Sequence, residues 1–185
     1  MLSRVMRLLA PLSTTGGVRG AHPVLVTGAV LVVCGLLVSG CLVRRQAVEQ
    51  RSTQGPTAQQ MLNLRMLRES GREPTFEEKR QWDNQLEDKI SAYLRAHPEK
   101  ANALDVSTFR FHRQVAVGMD KEQVLILLGP PVSVSGDQGE IEKAARGYWP
   151  HIKGNATEVW TYPLGWNMFF AGQRLIDITQ YLPPS

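Results

Sequence analysis

The groups of this 185-residue chain that could do chemistry are two cysteines, four histidines and 17 carboxylates, and their spacing decides what kind. His97, His112 and His151 stand far apart, without the His-x-x-x-His or His–carboxylate spacing of a metal site. Glu77, Glu78, Asp83, Glu87 and Asp88 recur along one stretch in the manner of a solvated helix face. There is no Gly-x-Ser-x-Gly and no phosphate-binding glycine loop. Asn155-Ala156-Thr157 fits a glycosylation sequon and nothing more. The pattern therefore predicts a non-enzyme with no cofactor and no metal. One group stands apart: the Cys41 thiol, which follows Val38-Ser39-Gly40 at the end of an apolar run.

That run sets the reading of the N-terminus. Arg4, Arg7 and Arg19 precede it without any acid, and Pro23 to Val38 is uncharged. A basic region, an apolar region and small residues, in that order, describe a secretory signal. With the cysteine added, "VSGC" resembles the lipobox of bacterial lipoproteins. The resemblance implies that Cys41 receives a diacylglyceryl group, that the Gly40–Cys41 bond is cut, and that the new amine is acylated. An uncut membrane helix over Pro23 to Val43 is the alternative, since about 20 apolar residues span a bilayer. Either way the remainder is tethered outside the cytoplasm. Leu42, next to the anchor, leans toward the outer membrane because an Asp there retains some lipoproteins at the inner one.

Setting the first 40 residues aside changes the electrostatics. The whole chain has net charge +4; of 21 basic residues three are lost, leaving 18 against 17 acids, a net of +1. A nucleic-acid partner then has no electrostatic basis. Cys34 goes with the leader, so no disulfide can form within the mature chain. The 145 residues that remain suffice for one packed core.

The elements follow from caps and periodicity. Residues 41–56, polar with a Gly-Pro break, read as a flexible tether. Residues 57–113 read as a helical extension. Thr57 with Gln60, and Thr75 with Glu78, are capping boxes; Trp82, Leu86, Ile90, Tyr93 and Leu94 form one apolar face that ends near His97 before Pro98. Pro98 to Val117 reads as helix to about Arg110 and extended after it. In Gly118 to Pro131, Asp120 and Gln123 form a third capping box, Met119 and Val124 a hydrophobic staple, and Val124, Leu127 and Leu128 an inward stripe. Gly129 ends the helix, and Pro130 leaves it only a single-bond cap. Leu125 and Ile126 widen the stripe, so the last turn should see little water. Beyond it, Val132 to Ser135, Glu158 to Leu164 and a hairpin turning at Gly172 read as strands, with Ile176 and Ile178 on one face. Between the first two lies a long loop, Gly136 to Thr157, with a helical turn near Ile141 to Arg146.

"VGMDKEQVLILLGPP", then "EVWTY", then an apolar hairpin resembles the SmpA/OmlA (BamE-like) domain. The matching positions are Gly118, Met119, Gln123, Val124, Leu128, Gly129, Pro131, Trp160 and Tyr162. Asp120 stands where the family has Thr or Ser and keeps the N-cap role. The resemblance covers about Val115 to Tyr181, which sets a domain at residues 114–185, and implies an α+β fold: short helices packed on a small antiparallel sheet of about three strands, here behind N-terminal helices. It also implies a periplasm-facing outer-membrane lipoprotein that serves as an interaction module in β-barrel protein assembly. Its partners would be the membrane, through Cys41, and envelope proteins. The same unit resembles the repeats of β-lactamase inhibitor protein, which keeps an inhibitor or ligand-binding module as the other reading. Trp149, in the glycine-rich loop, is the aromatic residue most readily assigned to a partner contact.

Overall fold

The computed structural model describes residues 47–100 and 106–184. Gly40, Cys41 and the expected signal lie outside the described residues. Three helices begin at the boxes read from the sequence: α1 (Ala58–Ser70) at Thr57, α2 (Phe76–Ala96) at Thr75 and α3 (Lys121–Leu128) at Asp120. In each, the cap oxygen accepts from the third amide while that residue's side chain accepts from the cap amide. Two amides that the first helical turn leaves over are thereby satisfied.

The α+β class holds, with a different order and strand count from those expected. Among the described residues, strands β1 (Val48–Ser52) and β2 (Gln54–Thr57) precede the helices. A five-stranded antiparallel sheet runs β1-β7-β6-β5-β4, where β4 is Ser133–Ser135, β5 Glu158–Tyr162, β6 Trp166–Ala171 and β7 Arg174–Leu182. β2 pairs separately with β3 (Gln114–Ala116). The two strands beyond three lie at the edges: β4, which the sequence offers at Val132 to Ser135, and β1, where hydropathy gives no signal. β1 is the stretch read as a tether. Polar clips hold it: Arg51 chelates Asp177 at 2.7–2.9 Å, Gln50 donates to Gln180 at 2.7 Å, and Glu49 accepts from the Gly147 amide at 2.9 Å. A polar sequence is what an exposed edge strand tolerates.

α1, α2 and α3 cover one sheet face. Met61, Leu86, Ile90, Phe109, Val124 and Leu128 share a core with Trp160, Met168, Phe170 and Ile178, and burial of each large side chain contributes about 1.5–3 kcal/mol. Residues 57–100 and 106–113 are thus part of the same packed unit as the sheet, not an extension of it. The stretch before β3 is a wide π turn (Thr108–His112) that buries Phe109 and turns Phe111 out, 72 % exposed. Leu125 is also half in water: the helix presents it away from the sheet.

The other face carries α4 (Gln138–Ala145), which extends the helical turn read near Ile141, and α5 (Trp149–Ile152), built from the rest of the stretch read as a loop. Ile141, Ala145 and Ile152 pack there on Val159 and Phe169. Ile176 joins this second core while Ile178 joins the first, so the two isoleucines do not share a face. The cause is a bulge: Phe169 pairs with Asp177 but Phe170 with Leu175, which leaves Ile176 as the extra residue.

The sheet has two poles. At the hairpin pole β6 turns into β7 through Gly172 and Gln173. At the entry pole β1 begins, β7 ends and β5 turns into β6, since Val48 pairs with Leu182 and Tyr162 with Trp166. No helix among the described residues is long and apolar enough to cross a membrane.

Candidate functional site

The heavy stop after α3 is where the surface opens. Gly129 adopts φ 74°, ψ −166°, a mirror-extended conformation that only glycine takes easily. Its amide donates to the Leu125 carbonyl at 2.8 Å, the single-bond cap expected before Pro130. A side chain here would also displace Arg65: an ideal Cβ would lie 2.6 Å from its guanidinium nitrogen. That nitrogen donates to the Leu128 carbonyl at 3.1 Å, placing a cation at the helix C-terminus, where the helix dipole favours it. The Tyr162 hydroxyl donates to the Gly129 carbonyl at 2.9 Å, and burial raises this phenol well above its usual range.

Between this stop and α1 lies a groove of about 570 Å³. Met61, Leu64 and Leu67, at helical spacing, form one wall; Leu128, Pro130, Pro131, Val132, Tyr162 and Pro163 form the other. Arg65 and Arg68 are the charged lining residues, and none is acidic. Apolar walls with two guanidinium groups suit an apolar segment that carries a carboxylate. The sequence gives each wall separately but not their meeting, because Arg65 and Leu128 are 63 residues apart.

The aromatics singled out from the sequence sit elsewhere. Trp149 opens α5 and packs, half-buried, on the Ile141–Phe169 core. Trp82 packs half-buried on the first core and borders a smaller hollow of about 370 Å³ with Phe76 and Leu62. A polar hollow of about 280 Å³ on the other face lies between β4 and α4, with Asn167, Lys143 and Arg146 among its lining.

Titratable groups gather at the start of α3. Tyr93 donates to Asp120 at 2.5 Å, Lys100 lies 3.6 Å from the same carboxylate, and His97 lies between Glu99 and Glu122 at 3.4 and 3.7 Å. Asp120 is already committed to the Gln123 amide, so this cluster reads as a reinforced cap. His112 and His151 stay apart from it, in the π turn and in α5. Among the described residues no group of three or more His, Cys, Asp or Glu side chains could hold a metal ion. Neither a protein family, nor a curated protein, nor a solved structure matches the chain.

Proposed function

We propose that this chain is a lipid-anchored, periplasm-facing outer-membrane lipoprotein of the SmpA/OmlA (BamE-like) type, and that it serves as an interaction module in β-barrel protein assembly. Lipidation at Cys41, after cleavage of the Gly40–Cys41 bond, supplies the anchor. The groove beside Gly129–Val132 supplies the docking surface for an envelope protein. The observation that carries this reading is the joint placement of the family-like residues. Asp120 and Gln123 cap α3, Gly129 ends it, and Tyr162 ties that end to β5 beside an open apolar groove. Of the residues that make the resemblance, Leu128, Pro131 and Tyr162 line the groove, and Asp120 and Gln123 fix the helix that carries its edge.

Affinity purification from membranes tests the proposal. The lipidated chain should recover barrel-assembly subunits, and Leu67→Asp should lose them. Leu67 is 54 % exposed, so its replacement changes stability by only about 0.5 kcal/mol. Equal recovery by both chains would remove the groove from the account; no recovery by either would remove the partner class.

A further inference from the structure

At the entry pole, three apolar side chains face water: Val132 is 64 % exposed, Leu164 51 % and Val48 48 %. Leu164 is the informative one. It sits at φ 59° in the turn between β5 and β6, a left-handed conformation that a bulky residue adopts only at a cost and that Asn or Gly would take more readily. Folding does not ask for an exposed leucine there, and solubility opposes it. Strain combined with an exposed apolar tip points to a contact.

The chain itself says with what. β1 starts at this pole, and Val48 is only seven residues beyond Cys41, a reach of at most about 25 Å. β7, whose last residue pairs with Val48, and the Gly172–Gln173 turn beyond its first residue together span about 30 Å toward the opposite pole. With the hairpin pole on the membrane, Val48 would stand farther from the lipid than its own anchor allows. Because β1 is a strand and not a tether, the anchor dictates which end of the sheet faces the bilayer. Arg65 and Arg68 flank the groove at the same pole, where they can meet lipid phosphate.

We infer that the entry pole is a membrane-seating face. The tip of Leu164, with Val132 and Val48 beside it, enters the interfacial layer of the phospholipid surface to which the chain is anchored. This fixes the orientation of the sheet, with the hairpin pole pointing into the periplasm. The inference rests on the proposed anchor near Cys41.

The test uses the full chain with its leader, purified from membranes and reconstituted in phosphatidylcholine vesicles with or without bromine on shallow acyl carbons. In a Cys34→Ser background, a bimane fluorophore is attached at Leu164→Cys, at Val132→Cys, or at Gln173→Cys on the hairpin pole. Bromine should remove much of the emission at the first two positions and none at Gln173→Cys. The second entry-pole probe covers the case in which Leu164→Cys disturbs its turn. Equal quenching at both poles, or none at the entry pole, would overturn the inference. Intact mass of the same samples reports separately on the anchor: an uncut chain would refute lipidation, and repeating the labelling with Cys41→Ser added, so that no second thiol takes the fluorophore, lets the quenching pattern still decide the orientation.

Discussion

The two poles of the sheet are built from the same strands and behave as opposites. At the hairpin pole, backbone groups close on one another. The Gly118 amide donates to Leu175, the Leu175 amide to Met119, and the Lys121 amide to Gln173. Lys121 adds an ion pair to Glu158 at 2.5 Å. At the entry pole, a helix stops at consecutive prolines, a leucine is held at positive φ, and apolar side chains face an open groove. One end of α3 is explained by folding; the other borders the surface available for binding. A segment whose punctuation is all fold information can therefore still mark a site, because the stop leaves space that the cap does not.

Gly165→Ala attacks the entry pole most severely. At φ 69°, a Cβ would lie 1.8 Å from the Tyr181 carbonyl oxygen, so β7 would have to move. A loss of about 4 kcal/mol or more is expected, read by thermal or denaturant unfolding. A fully stable variant would show that the turn is not as tight as described.

Arg51→Ala separates anchoring from folding. Asp177 is buried and keeps only the Ile178 amide once the guanidinium is gone. Because Arg51 is partly exposed, the cost should be about 2 kcal/mol, below that of breaking a fully buried pair. β1 should detach, seen as faster amide exchange over Val48–Ser52. The next held residue is then Thr53, whose carbonyl accepts from the Val117 amide, 12 residues from Cys41, which lengthens the reach to about 43 Å and should weaken bromine quenching at Leu164→Cys. Unchanged exchange over β1 would contradict the role given to the Arg51 clip.

Tyr162→Phe should cost about 1 kcal/mol by removing the donor to Gly129, with the sheet otherwise intact. The effect should appear in unfolding midpoints and, by amide exchange, at α3's last turn and not its first. Loss at the first turn instead would contradict the separation of the two ends.

The smallest effect lies away from both poles. The Arg72 hydrogen bond, then the Thr75 amide, hold Glu78 down to about 2 from its usual 4.5. A depressed carboxyl pKa stabilises the fold above the unfolded value, and that contribution is lost as pH falls from about 4.5 to about 2. Amide exchange at the start of α2 should rise across that window while β6 stays protected. A flat profile at Thr75 and Glu78 would remove this cap from the acid response.

Much of the fold was legible because its signals are local. The capping boxes at Thr57, Thr75 and Asp120 each need four residues, and the alternation of Trp160 and Tyr162 shows a half-buried strand. What stayed hidden depends on distant partners. β1 is polar, and its evidence lies in Asp177 and Gln180, about 130 residues away. The bulge at Ile176 reverses a face without any glycine or proline to mark it. Only a turn of α4 near Ile141 was legible, and α5 looked like loop, because Gly139, Gly147 and Pro150 interrupt their periodicity, although Ile141, Ala145 and Ile152 find a common core. The groove was half visible: Gly129-Pro130-Pro131 announced a stop, but nothing local says that α1 packs beside it.

The contrast between poles gains its meaning from the anchor, so the most direct measurement is the intact mass of the protein extracted from membranes. The account predicts a chain that begins at Cys41 and carries a diacylglyceryl thioether and an acylated amine, and a Cys41→Ser form that keeps its full leader. A wild-type chain of all 185 residues with an unmodified Cys41 thiol would contradict it.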